Sequence, residues 1–378
     1  MVEPVNPSPA QVTRGAHPLD CLAREPRQCI WELTLACNLT CVHCSNHARQ
    51  ASPKELSLQR QLGVARELKT LGCRTVDVTG GEPLLSPRWN ALCAELSKLG
   101  MRVALVTNGT LLDDEAVTRA VDAGVRRVGV SIDGLATTHD AIRQYWIRRG
   151  SPFDAAIRGI RRAARSLEVS VITQVNRHNL AGLPGLGRLL GELGVGHWQL
   201  QLAVPVERGV FRSESGSGVP CEFTIQPEDL ESLVAFIVAS SSDPQIPPIH
   251  TSDTIGYATS EEAVLRSKGV DRPGLWLGCV AGIRAVAIKY DGTVRGCSLM
   301  PQDFDAGSLH EESLCTIWND SRRFAYSTEF DRSHLSGACA RCQFGIICRA
   351  GCTTMAYFAS GTTGNNPYCL RRVRGLVS

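Results

Sequence analysis

Three cysteines in "CNLTCVHC", Cys37, Cys41 and Cys44, are separated by gaps of three and two residues. Thiolates at this spacing ligate metal, and three of them on a cubane cluster leave one iron open for a small chelating ligand. Structural zinc is the competing reading, but it favours four ligands in paired knuckles, and no second pair follows here. His43, wedged between Cys41 and Cys44, is poorly placed to turn onto the same ion. A second group lies far along the chain. It runs Cys279, twelve residues, Gly292, four residues, Cys297, then "CARCQFGIICRAGC" with Cys339, Cys342, Cys348 and Cys352, and finally Cys369. Two metal-bearing regions are implied.

Sixteen cysteines in a chain whose start lacks the apolar core of a secretory signal indicate thiolate ligation rather than disulfides, and a cytoplasmic protein. The 378 residues, 43% of them hydrophobic, suffice for one large core and a smaller unit. Forty basic and 37 acidic residues in mixed order give a charge of +3 and no basic stripe, which argues against a nucleic-acid partner. No apolar run reaches the roughly 18 residues of a membrane span.

The elements that must position these groups alternate as βα units. Apolar runs at 29–35, 75–80, 102–107, 127–132, 169–175 and 198–204 predict six parallel strands. Amphipathic stretches at 57–71, 88–99, 113–123, 153–166 and 183–193 predict the intervening helices. The fold class is α/β, a partial (β/α)6 barrel, with functional residues expected at the C-terminal strand ends. Residues 1–28 read as an N-terminal extension, 29–204 as the barrel, 205–274 as a linker with one bridging helix, and 275–378 as a small cysteine-rich domain held by metal. Cys348 and Cys352 are expected on opposite sides of one helical turn. Cys29, Cys73, Cys93 and Cys315 read as small core residues.

The three-cysteine loop after the first strand, "GGEP" (80–83) after the second, "TNG" (107–109) after the third and "SIDG" (131–134) after the fourth resemble a radical S-adenosylmethionine enzyme. The later cysteines resemble a SPASM domain, an auxiliary-cluster module of enzymes that modify peptides or proteins. The resemblance implies S-adenosylmethionine as cofactor, one site-differentiated 4Fe–4S cluster on Cys37, Cys41 and Cys44, and two auxiliary iron–sulfur clusters. One of these would take Cys339, Cys342, Cys348 and Cys369, the other Cys279, Cys297 and Cys352, one ligand short, since "RPGLWLG" before Cys279 supplies no further cysteine.

Around the cofactor, Gly80 and Gly81 would let the backbone approach the methionine ammonium, because glycine has no side chain to interfere, with Glu82 as a nearby acceptor. The resemblance pairs Ser131 with Arg143 at the ribose and carboxylate region, the arginine by its forked donors. It places His43 against the adenine. Thr107, Asn108 and Asp133 would line the same mouth, although such residues also serve as plain turn formers. Cys221, in a Gly-rich loop, has three roles open to it: an uninvolved thiol, the missing cluster ligand, or a catalytic hydrogen donor to a substrate radical.

The implied function is release of a 5′-deoxyadenosyl radical that abstracts hydrogen to modify a ribosomally made peptide, by cross-link, epimerisation or excision. Only 28 residues precede Cys29, so a leader-binding domain, if used, is expected as a separate protein. Ser298 stands where sulfatase-maturing relatives have an Asp, which argues against formylglycine formation. The alternatives are a radical epimerase or dehydrogenase acting on a small-molecule metabolite, and a non-catalytic electron-transfer protein. The assembled cofactor mouth speaks against the last. A flavodoxin- or ferredoxin-type protein is the implied reductant.

Overall fold

The computed structural model describes residues 19, 23–204, 223–252, 254–266 and 276–377. All six predicted strands are present, and each starts and ends within a few residues of its apolar run. In chain order the strands are β1 (Gln28–Glu32), β2 (Leu39–Cys41), β3 (Thr75–Thr79), β4 (Arg102–Thr107), β5 (Arg127–Ser131) and β6 (Arg143–Tyr145). They continue as β7 (Glu168–Val175), β8 (His197–Leu202), β9 (Ile249–Thr251), β10 (Ala285–Ile288), β11 (Thr293–Arg295) and β12 (Gly307–Ser308). One ten-stranded sheet has the order β12-β11-β10-β1-β3-β4-β5-β7-β8-β9, and β2 pairs with β6 separately.

The run from β10 to β9 is parallel throughout, with helices between strands, so the strands are buried on both faces and read as continuous apolar stretches. Val76, Val78, Leu105, Val128, Val130 and Val171 are wholly buried in the core. Burying each such side chain contributes roughly 1.5–3 kcal/mol, which makes this sheet the rigid frame for the loops at its C-terminal edge. The helices begin where local chemistry starts them. Ser57, Asp113 and Ser151 each accept a hydrogen bond from a backbone amide three residues on, capping the helices Leu58–Thr70, Asp114–Asp122 and Pro152–Ala163.

Six strands go beyond the six predicted: β2 and β6, which form a pair of their own, and β9, β10, β11 and β12, which extend the main sheet at its two sides. Strand β9 follows the bridging helix Leu230–Ser240 and extends the sheet beyond β8. Strand β10 extends it on the other side, parallel to β1 with Cys29 opposite Val286. The cysteine-rich segment therefore continues the barrel sheet through β10, β11 and β12, and its Val286 and Ile288 belong to the main core. Three- and four-residue strands are too short to show a period, so only their pairing identifies them.

The expected single turn between Cys348 and Cys352 is corrected. The helix Gly345–Cys348 ends at Arg349, which with Ala350 and Gly351 adopts positive φ, and Cys352 then precedes a new helix, Thr353–Ser360. This left-handed reversal, rather than a helical period, turns the two cysteines apart. Cys29, Cys73 and Cys93 lie in the core as expected, whereas Cys315 is only half-buried. No helix among the described residues is long and apolar enough to cross a membrane.

Candidate functional site

The loop after β1 is clamped from three sides. Its β2 segment pairs antiparallel with β6, Cys41 opposite Arg143, and Cys37 N–H donates to Arg49 O at 3.0 Å. Cys37, Cys41 and Cys44 pack together with Leu39 and Ala48. Burial pushes the Cys37 thiol up to about 11, against the amide of Leu39, which donates to its sulfur at 3.4 Å. Burial pushes Cys41 up to about 12, opposed by the Arg143 guanidinium, whose Nη1 lies 3.9 Å from the sulfur. Thiols held this dry and this close need a cation to become thiolates, which is what an iron cluster brings.

The "GGEP" turn packs directly beneath this loop. Gly81 N–H donates to Thr34 O and Glu82 N–H to Ala36 O, both at 2.7 Å. A Cβ on Gly80, whose φ is +153°, would sit 2.6 Å from Thr34 O, and one on Gly81 2.3 Å from Ala36 O. The space a side chain would take at either glycine is filled by the chain's own carbonyls, which ties this turn to the start of the cysteine loop. Gly81→Ala is accordingly expected to displace the cysteine loop and lower retained iron by up to about four per chain. Elemental analysis after anaerobic reconstitution, with circular dichroism reporting an intact fold, checks this.

Glu82 is wholly buried and accepts from Thr107 Oγ1 at 2.8 Å, Asn108 N at 2.8 Å and Leu84 N at 3.1 Å. Burial raises its pKa to about 7 even with these donors. The expected acceptor for the methionine ammonium thus directs its carboxylate to three donors inside the protein and fastens the turn after β3 to the turn after β4. Asn108 passes the connection on, donating to Asn38 Oδ1 at 2.8 Å, so that the residue after Cys37 is tied to the same network.

Beyond β5, Asp133 is the hub. Its Oδ2 accepts from Arg143 Nε at 2.6 Å and lies 3.4 Å from His43 Nε2, while Oδ1 accepts from Gln174 N at 2.9 Å. Burial would raise the carboxyl, but the Arg143 guanidinium outweighs it and holds it below its ordinary value. Arg143, expected at the cofactor carboxylate, is here paired with Asp133 and set beside Cys41. Ser131 ends β5 half-buried. His43 is buried, which lowers its pKa to about 4 against the pull of Asp133, so the ring is neutral at physiological pH. It stacks on Phe223, centroids 5.8 Å apart and planes 11° from parallel, and its Nδ1 is buried without a partner. An orphaned acceptor on a neutral, stacked ring fits an adenine edge and face.

The structure brings Cys339, Cys342, Cys348 and Cys369 to one cavity, together with Tyr257 and Asn366. Cys279 and Cys297 share a different neighbour, the Tyr326 hydroxyl, while Cys352 N–H donates to Tyr257 Oη at 3.0 Å. Among the described residues no group of three His, Cys, Asp or Glu side chains is placed to hold a single metal ion, which does not suit a zinc knuckle at "CARC". Cys221 lies outside the described residues. Sequence reasoning missed Asn38, Phe223, Lys289 and Tyr326. Lys289 is the most informative: its Nζ reaches Glu32 Oε2 and Asn46 Oδ1, each at 2.8 Å, and Ser298 O at 3.5 Å. One buried cation thereby ties the end of β1 and the first cysteine loop to the residue after Cys297. Nothing local to "AIKYDGT" announces such contacts.

A three-thiol loop held over the mouth of a parallel partial barrel defines an iron–sulfur enzyme of the radical S-adenosylmethionine type. The chain belongs to that superfamily: its sequence matches the Radical SAM superfamily over residues 31–187 and an iron-sulfur cluster-binding domain, SPASM, over 279–343. S-adenosylmethionine and 4Fe–4S clusters are therefore its cofactors. The chain is 30% identical over 365 residues to an AdoMet-dependent heme synthase of Methanosarcina barkeri, covering 93% of this chain and 98% of the relative. It is 27% identical over 380 residues to the mycofactocin maturase MftC of Mycolicibacterium smegmatis, covering 98% and 87%. In fold it is similar to Streptococcus suis SuiB bound to S-adenosylmethionine, with a TM-score of 0.67 and 14% identity over 91% of this chain and 76% of that one. It is likewise similar to anSMEcpe with bound AdoMet, with a TM-score of 0.68 and 14% identity over 92% of this chain and 95% of that one.

Proposed function

We propose that this enzyme modifies a ribosomally made peptide by hydrogen abstraction, forming a cross-link, epimerising a residue or excising one. When bound at Cys37, Cys41 and Cys44, the cluster with S-adenosylmethionine supplies the 5′-deoxyadenosyl radical. The chain's own residues do the rest. Asp133 and Arg143 hold Cys41 and His43 in place, the Glu82 network fixes the two turns beside them, and burial of this mouth keeps water from the reacting atoms.

The observation that carries the peptide reading is the seam between the two cysteine regions. It is lined by Ser45, Asn46, Lys289, Asp291, Arg295 and Ser298, a polar surface rich in both donors and acceptors. The hydroxyls of Ser45 and Ser298 and the carboxylate of Asp291 offer partners to the backbone amides and carbonyls of an extended chain. The similarity to mycofactocin maturases supports this reading. A second reading, a tetrapyrrole substrate, is favoured by the 30% identity to a heme synthase and replaces the generic small-molecule alternative. A flavodoxin- or ferredoxin-type reductant and a cytoplasmic setting complete the proposal.

The test supplies anaerobically reconstituted enzyme, S-adenosylmethionine and reductant with either of two probes: a short peptide encoded beside its gene, or an iron porphyrin. The peptide is expected to raise 5′-deoxyadenosine above the substrate-free level and to change mass in step. Stimulation by the porphyrin alone would overturn the peptide reading.

A further inference from the structure

We infer that the outer face of the β2–β6 ribbon, centred on Trp146 and Ile147, is where an acidic electron-carrier protein docks to reduce the cluster held by Cys37, Cys41 and Cys44. The inference rests on the reading that a flavodoxin- or ferredoxin-type protein is the reductant. The ribbon has two unlike faces, because side chains alternate along a strand. Leu39 opposite Tyr145 and Cys41 opposite Arg143 form its inner face, where Leu39, Tyr145 and Cys41 pack with Cys37 and Cys44. The intervening pair, Thr40 and Gln144, belongs to the outer face. Val42 and Trp146 continue that face at its two ends, since Val42 N–H donates to Ile142 O at 3.0 Å and Trp146 N–H to Asn38 O at 3.1 Å.

The outer face is both apolar and cationic. Val42 is 46% exposed, Trp146 40% and Ile147 82%, three of the seven large apolar side chains exposed among the described residues. Arg49, Arg148 and Arg149 beside them are exposed as well. The Arg49 guanidinium lies 5.6 Å from the Trp146 ring centre, so charge and apolar surface form one patch. Among the described residues none of these three arginines meets a carboxylate. No Asp or Glu occurs between 42 and 54 or between 141 and 153, and Asp140 is turned to the Phe153 N–H at 2.8 Å.

An exposed apolar patch with a charged rim marks an interaction site, and Trp and Arg are the residues most enriched where binding energy concentrates. Charge complementarity makes the partner acidic. Position makes it an electron carrier: Val42 follows Cys41 directly, and Arg49 O accepts the Cys37 N–H at 3.0 Å, so the patch is joined through backbone to two of the three cluster cysteines. A carrier seated there has one strand pair between it and the cysteine loop. The small patch suits such a partner, because electron-transfer encounters bury less than about 1,200 Å². The docked carrier loses one electron and the enzyme's cluster gains it; no bond forms or breaks in the transfer.

The experiment measures 5′-deoxyadenosine formation by the full-length, anaerobically reconstituted enzyme with purified flavodoxin, purified ferredoxin or saturating titanium(III) citrate as electron source. Arg148→Glu/Arg149→Glu is expected to lose about tenfold or more in kcat/KM for the carrier protein at low salt, as when charge steering is removed. The loss should shrink at about 1 M salt, where charges are screened within about 3 Å. Trp146→Ser/Ile147→Ser should lose carrier-driven activity at either salt concentration, and both variants should match wild type with titanium(III) citrate. Wild-type rates with the carriers in both variants overturn the inference. Hydrogen exchange on wild type needs no variant to fold: the carrier is expected to protect the amides of 144–149, and protection confined to other segments overturns the inference too. Variants that keep carrier-driven cleavage but lose peptide turnover, or lose binding to phosphatidylglycerol vesicles, would give this face to the substrate or to a membrane instead. If neither carrier reduces wild type while titanium(III) citrate does, the reductant reading itself fails and the inference with it.

Discussion

Cys41→Ala abolishes reductive cleavage of S-adenosylmethionine and lowers bound iron by about four atoms per chain, from about twelve for three cubane clusters. This is the largest effect expected of any single substitution, because the cofactor is chelated only at an iron that three thiolates have left open. Cys41 is central to the loop: it closes the β2–β6 pairing opposite Arg143 and packs against both other cysteines. Its replacement removes a ligand without enlarging the main sheet core, so the far-ultraviolet circular dichroism of the variant stays that of the parent. Undiminished 5′-deoxyadenosine from a folded, reconstituted variant would refute the assignment. Iron that falls by far more than four would show instead that the auxiliary sites depend on this loop, as the Lys289 connection allows.

The second large effect is one of stability. Asp133 is fully buried and Arg143 nearly so, and their ion pair at 2.6 Å is shielded from solvent. Removing one partner of such a pair leaves an uncompensated buried charge and costs about 3–5 kcal/mol. Asp133→Asn is expected at the lower end, because an amide oxygen can still accept from Gln174 N, and Asp133→Ala at the upper. The denaturant midpoint of anaerobically purified protein reads the difference. Adding Arg143→Met to Asp133→Asn is expected to recover part of the loss, since the stranded guanidinium is then gone. A drop below about 1 kcal/mol in Asp133→Asn would place the pair in the weak, solvated class. Cofactor cleavage falls in both single variants, because Arg143 also steadies Cys41.

Much of this protein was legible in its residues. The six central strands could be read because parallel strands buried on both faces are continuous apolar runs, and the helices because their apolar positions recur at helical spacing. The two cysteine-rich regions could be read because ligands on one loop must be close in sequence, and the turns "GGEP", "TNG" and "SIDG" because each directly follows its strand. What those turns do was decided by the tertiary structure. Glu82 meets Thr107 and Asn108 only because β3 lies beside β4, and Arg143 meets Cys41, 102 residues away, only because β6 pairs with β2. Lys289 spans 243 residues to Asn46 because β10 docks parallel to β1 and brings the late cysteines onto the barrel. Spacing along a chain says which residues share an element. Which elements become neighbours depends on sheet order and on burial summed over the whole core, and a four-residue strand such as Ala285–Ile288 carries too little pattern to declare its partner.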